Sequence, residues 1–301
     1  RAMSAQVWEI TLAALLLVLA FDFAMAYKQR NVETSLTTAV SWTLFYVAAA
    51  VVFGISLGQW ADTQAQSEFF AGWLTEYSLS FDNLFVFVLI LARLKVAKEK
   101  EQLILLIGIA MALIMRGGFI ALGSVIVSKF SWVFFFFGAF LIYTAYTLIK
   151  ESGEEEWEEG RVISYLRKKG ASTFTLALVA IAMTDVLFAF DSIPAIFGLT
   201  KDPYIIVTAN IFALMGLRQL YFLIGGLMKK LIYLTQGLSF ILAFIGVKLF
   251  FEALHSQGWD HFGPIKIPHI TLQFSLGTII GTLAVTSILS LYKTRDKTSK
   301  K

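Results

Sequence analysis

Four carboxylates lie in apolar surroundings: Glu76 and Asp82 in "TEYSLSFDNLFVFVLI" (75–90), and Asp185 and Asp191 in "TDVLFAFDSIPAIF" (184–197). Acids in such a run carry oxygen ligands and negative charge into a poor solvent for charge. A charge at the centre of a bilayer costs at least about 2.5–3.5 kcal/mol. Arg116, Arg218 and Lys248 interrupt apolar runs as well. One reading is mutual salt bridging between helices. Buried pairs are a weak source of stability, which favours the other reading, an ion site or pathway.

The ligand chemistry follows from residue type. There is no cysteine, and the three histidines, His255, His261 and His269, lie in a polar segment with no tight metal spacing. Oxygen-only ligation suits Mg, Ca or Mn rather than Zn or Cu. Asn83, Ser192, Thr184 and Asn210 could add neutral oxygens, though each also reads as a helix-packing hydrogen bonder. Asp22, in "AFDFAMA", reads equally as a ligand on the way in or as an interfacial acid. Met183 is a soft donor beside Thr184, or simple packing. A carboxylate held away from water favours its protonated form, so protons are a candidate counter-ion.

Spacing constrains the site. Residues six apart on a regular helix differ by about 120° around the axis and about 9 Å along it. Glu76 and Asp82 therefore cannot both hold one small ion unless the helix is interrupted. Pro194, three residues after Asp191, predicts such an interruption, which would free carbonyl ligands.

The elements that must position these residues are membrane spans. The chain has 301 residues, 57% hydrophobic and only 15% charged, with a mean hydropathy of +0.73. Runs of about 20 apolar residues predict helices at 7–27, 36–58, 69–92, 103–127, 130–149, 173–199, 203–227, 233–255 and 270–292. The first is long enough to be a retained helix rather than a cleaved signal. The expected fold is an all-α polytopic membrane protein with about nine transmembrane helices in one domain. The loops on one side carry 18 Lys and Arg, and those on the other carry 4. The positive-inside rule then predicts an external N-terminus and a cytosolic C-terminus. Topology thus explains the basic excess without nucleic acid. The cytosolic loop 150–172, with "ESGEEEWEEGR", reads as a solvated acidic connector.

The two acidic segments align. Thr75 matches Thr184, Glu76 matches Asp185, Phe81 matches Phe190, Asp82 matches Asp191, and Asn83 faces Ser192. The following spans place Arg116 opposite Arg218, and the third spans end in Glu151 and Glu252. Residues 69–151 and 173–255 are thus expected to be three-helix repeats, after two leading helices (7–58) and before a last helix (270–292). Three is odd, so the second repeat is inverted, a known transporter architecture. Inversion predicts an outer layer of Glu76 with Asp191 and an inner layer of Asp82 with Asp185. Two acids per layer suit a divalent cation.

"GWLTEYSLSFDNLFVFVLI", "FAFDSIPAIF", "NIFALMGLR" and "GVKLFFE" (246–252) resemble the signature segments of the TerC family of membrane proteins, including its Alx branch. The resemblance runs from "LAFD" at 19–22 to the last helix. It implies Mn2+ export from the cytosol, a link to tellurite resistance, and a site at Glu76, Asp82, Asp185 and Asp191. Tyr77 departs from the basic residue that Alx relatives tend to carry after the acid.

The expected function is a secondary transporter exporting a divalent cation, Mn2+ first and Ca2+ or Mg2+ as alternatives, from a bacterial plasma membrane. Two other readings stay open: a non-transporting membrane scaffold in a stress or secretion complex, and an exporter of cationic organic solutes. No nucleophile–base pair, phosphate loop or cofactor motif suggests an enzyme.

Overall fold

The computed structural model describes residues 3–32, 34–151, 160–227 and 230–299. These form eleven helices and one two-stranded hairpin. The helices are α1 (Ala5–Lys28), α2 (Leu36–Trp60), α3 (Thr63–Arg93), α4 (Lys98–Lys129), α5 (Val133–Glu151), α6 (Arg161–Lys168), α7 (Thr173–Phe197), α8 (Pro203–Leu214), α9 (Leu217–Leu227), α10 (Leu234–Ser256) and α11 (Leu272–Ser299). The acidic part of the 150–172 loop, 152–159, lies outside the described residues.

Helix starts follow local chemistry. Ser4, Ser35 and Ser172 each accept a hydrogen bond from the backbone N–H three residues on. Asp202 caps α8 ahead of Pro203, whose missing N–H costs nothing at a first helical position.

Among the described residues, α1, α2, α4, α10 and α11 are each long and apolar enough to cross a membrane. The pair α8 and α9, bent by 44°, makes a sixth span if counted as one. The described parts of α5 and α7 supply shorter apolar stretches, Val133–Thr147 and Thr173–Val186. Large apolar side chains face outward on α1, α2, α5 and α11, among them Leu17, Leu44, Phe136 and Ile288. That suits helices bathed in lipid.

Two sequence expectations need correction. α7 continues through Pro194 instead of breaking there. The proline leaves only the Phe190 carbonyl without its helical N–H; the helix absorbs that single loss over its last turn, where the N–H of Gly198 bonds the Pro194 carbonyl at 3.0 Å. The break falls between α8 and α9 instead. Gly216 has φ +76°, and a Cβ there would stand 2.6 Å from the Tyr46 ring. Only glycine meets both demands. The 150–172 loop also holds a helix, α6, with Ile163 buried in the core; eight residues were too short a pattern to read.

The core has two lobes. One joins α3, α4, α5, α7, α9 and α10. The other joins α1 and α2 to α3 and α8 around the buried Tyr204. The most extensive helix contact is α5 with α10. There Gly138 and Gly246 bring the backbones together: a Cβ on Gly246 would lie 2.8 Å from the Gly138 carbonyl oxygen, and one on Gly138 would lie 2.7 Å from that of Gly246. Such small-residue crossings are a common way to pack membrane helices.

Gly246→Ala should therefore push α5 from α10 and lower the melting temperature in detergent. Gly117→Ala, where a Cβ meets nothing within 4 Å, should leave it unchanged or raise it. Equal melting of the two variants would contradict the packing account.

Candidate functional site: a buried ionic cluster

α3 carries Glu76 into the bundle at 0% exposure. Its Oε2 accepts a hydrogen bond from Arg116 Nη1 of α4 at 3.1 Å. The same nitrogen lies 3.5 Å from Asn210 Oδ1 of α8, and the Asn210 amide donates to the Ile206 carbonyl at 3.3 Å. One guanidinium thus ties three helices. Truncating either partner would leave a charge stranded in a low dielectric.

Asp185 approaches from α7. It lines a cavity of about 10 Å³, roughly the space of one water molecule, together with Ser80, Asn83 and Arg116. Arg116 therefore links Glu76 to the chamber of Asp185. Several buried oxygens of α3 and α7 have no hydrogen-bond partner among the described residues: Glu76 Oε1, Thr75 Oγ1 and Ser80 Oγ on α3, and Asp185 Oδ2 and Ser192 Oγ on α7. Buried polar atoms are nearly always satisfied, and each exception costs about 1–3 kcal/mol. Of the oxygen-bearing side chains, Ser80, Asn83 and Asp185 share the cavity, and such hard oxygens are the ligand type that hard divalent cations take.

Thr184 spends its hydroxyl proton on the Ala180 carbonyl at 2.8 Å, leaving its oxygen able to accept or ligate. Met183 is 42% exposed, unlike the buried residues of the cluster. The Asp82 and Asp191 side chains lie outside the described residues, so the two expected acid layers do as well. Among the described residues, no three of His, Cys, Asp and Glu gather as a metal group.

Asp22 sits in a second polar cluster. Its Oδ1 accepts from Tyr46 Oη of α2 and from Gln219 Nε2 of α9, each at 3.1 Å. Arg218 lies within electrostatic reach of Asp22. Although the sequence alignment pairs Arg218 with Arg116, Arg218 lies by a different acid. The turn at Gly216 packs on Tyr46 and leads directly into Arg218 and Gln219, which it delivers to α1 and α2.

A third polar region was not foreseen. A pocket of about 580 Å³ opens at the α7–α8 turn and is lined by Glu68, Thr200, Lys201, Asp202, Lys248 and Glu252, among others. Glu68 accepts from Thr200 Oγ1 at 2.9 Å and from Gln64 Nε2 at 3.2 Å. Lys201 pairs with Glu252 at 3.2 Å. The available signal was Gln64, Glu68 and Glu76, spaced by four and eight along α3. Nearby, His255 contacts Asp260 at 3.1 Å, and its ring stacks on His269 at 3.7 Å. His261 is exposed on the hairpin. The His255 contacts hold the loop after α10 to that helix's end.

An all-helical chain with membrane-length apolar helices around buried ionic groups is an integral membrane protein. Residues 61–298 match the integral membrane protein TerC family, and the chain belongs to that family. It is 35% identical to an uncharacterized membrane protein of Mycobacterium tuberculosis, over 98% of this chain and 81% of the relative. It is 32% identical to an uncharacterized membrane protein of Myxococcus xanthus, over 96% of this chain and 92% of that one. It is also 30% identical to the Escherichia coli K12 protein named "Putative membrane-bound redox modulator Alx", over 92% of this chain and 91% of that one. No solved structure matches.

The ion pair makes a stability prediction. Arg116→Met should strand the Glu76 carboxylate and cost about 3–5 kcal/mol, read as a lower melting temperature. Adding Glu76→Gln should recover most of the loss. A double variant as unstable as Arg116→Met would contradict the pairing.

Proposed function

We propose that this protein is a secondary transporter that exports a divalent cation, Mn2+ first among candidates, through the intramembrane carboxylates of α3 and α7. The observation that carries the reading is that Glu76 Oε1 and Asp185 Oδ2 are buried without a hydrogen-bond partner among the described residues, Glu76 bonded to Arg116 and Asp185 sharing a water-sized cavity with the same arginine. In an empty carrier, Arg116 neutralises Glu76. An arriving divalent ion competes for that carboxylate and recruits Asp185 with the neutral oxygens of Asn83 and Ser80. Asp82 and Asp191 complete the acidic path. Protons serve as counter-ion.

The wider architecture we infer has nine spans, with α8 and α9 together as the seventh, and α3–α5 and α7–α10 as inverted repeats. Two contacts support it. α3 packs on α8 as extensively as α7 packs on α4, and Gly138 and Gly246 each face the other's carbonyl. A two-fold relation between repeats produces both. Rocking of one repeat against the other would alternate access. In this orientation the N-terminus is outside, and the 580 Å³ pocket opens to the exterior.

The name of the Alx relatives raises a redox role as a second reading. With no cysteine, this chain could not fill such a role by thiol–disulfide exchange of its own. A scaffold role would give stable complexes and no ion flux, and a carrier of organic cations would show competition by basic amino acids.

The test is Mn2+ uptake into inside-out vesicles. Wild type should accumulate Mn2+ when the lumen is acid, Asp185→Asn and Asp191→Asn should each lose at least about tenfold in rate, and Met183→Leu should transport normally. Normal transport by both Asn variants would refute the acidic site.

A further inference from the structure

The pocket at the α7–α8 turn holds five charged side chains, and four are engaged. Glu68 accepts from Gln64 and Thr200, Lys201 pairs with Glu252, and Asp202 caps α8. Lys248 differs. It is 5% exposed, lines the pocket, and makes no hydrogen bond or ion pair among the described residues. The charged groups that face it are Glu252, one turn further along α10, Glu68 of α3, and Lys201 of the α7–α8 turn.

We propose that Lys248 is a resident cation. Its ammonium supplies, between Glu68 and Glu252, the positive charge that a divalent ion would otherwise bring, and so keeps the outer vestibule from retaining metal. The role in release rests on the export reading above. Without Lys248, the carboxylates of Glu68 on α3, Asp202 at the α7–α8 turn and Glu252 on α10 would share a polar chamber at the mouth of the path with one lysine. Such a chamber would hold Mn2+, and external Ca2+ or Mg2+ as well. A fixed positive charge repels a divalent ion with twice the energy it exerts on a monovalent one. Because Lys248 is buried, salt screens that repulsion little. An ion reaching the vestibule from the membrane site therefore leaves, and the outward-facing state has low affinity.

The test counts Mn2+ bound to purified protein in detergent, by loss of the free-ion electron paramagnetic resonance signal. Lys248→Gln should bind one more Mn2+ than wild type, at least about tenfold more tightly than any vestibule binding by wild type. Adding Glu68→Gln should remove that extra ion. Lys248→Arg, which keeps the charge, should match wild type. A folded Lys248→Gln protein with unchanged stoichiometry overturns the proposal. Should Lys248→Gln fail to fold, Glu68→Gln alone still decides: it should leave the Mn2+ count unchanged, and a loss of one ion would mean that the vestibule holds metal despite Lys248. These counts are independent of flux. A gained ion in Lys248→Gln together with no Mn2+ flux by wild type would sink the export reading and still support the charge balance inferred for the pocket.

Discussion

Charge in a low dielectric needs a partner, and the Glu76–Arg116 pair is where this protein meets that demand most deeply. The carboxylate is fully buried, and its guanidinium comes from a different helix. Either group alone would be prohibitively placed in the membrane interior. Together they are tolerable but not ideal, because Glu76 Oε1 and Asp185 Oδ2 find no hydrogen-bond partner among the described residues. A cluster built for stability alone would close those contacts or replace them with apolar side chains. The arrangement leaves these carboxylate oxygens without partners among the described residues, at a cost in stability.

The surrounding elements can be read as supports for that cluster. α8 runs against α3 so that Asn210 reaches the guanidinium. The turn at Gly216 then ends α8 and swings α9 toward α1 and α2. That turn gives Arg218 and Gln219 to Asp22 rather than to the central acids. The close α5–α10 crossing at Gly138 and Gly246 braces the lobe that holds α7. The polar residues thus separate into a central cluster, an Asp22 cluster and the pocket at the α7–α8 turn.

Much of this was legible in sequence because buried charge in an apolar run is rare. Helix positions followed hydropathy, and Glu76, Asp185, Asn83, Ser192 and Arg116 are buried as their surroundings implied. Partner choice was not legible. Arg116 and Arg218 look equivalent in the aligned segments, yet only tertiary packing decides that one meets Glu76 and the other lies by Asp22. The helix break was misplaced for a similar reason. Proline advertises a break, but α7 absorbs the loss of one hydrogen bond and continues, whereas Gly216 is set by its positive φ and by the Tyr46 ring. The Glu68 pocket escaped notice because its residues come from α3, the α7–α8 turn and α10, far apart in the chain and individually ordinary.

We propose that the carboxylates of α3 and α7 hold a divalent cation within the membrane. Anomalous scattering from Mn2+-soaked crystals, recorded on both sides of the manganese edge, tests this most directly. A divalent-cation site there gives a peak between α3 and α7, in contact with Asp185 and within reach of Asn83. A well-ordered crystal with no peak there, or with manganese only at surface carboxylates, would contradict it.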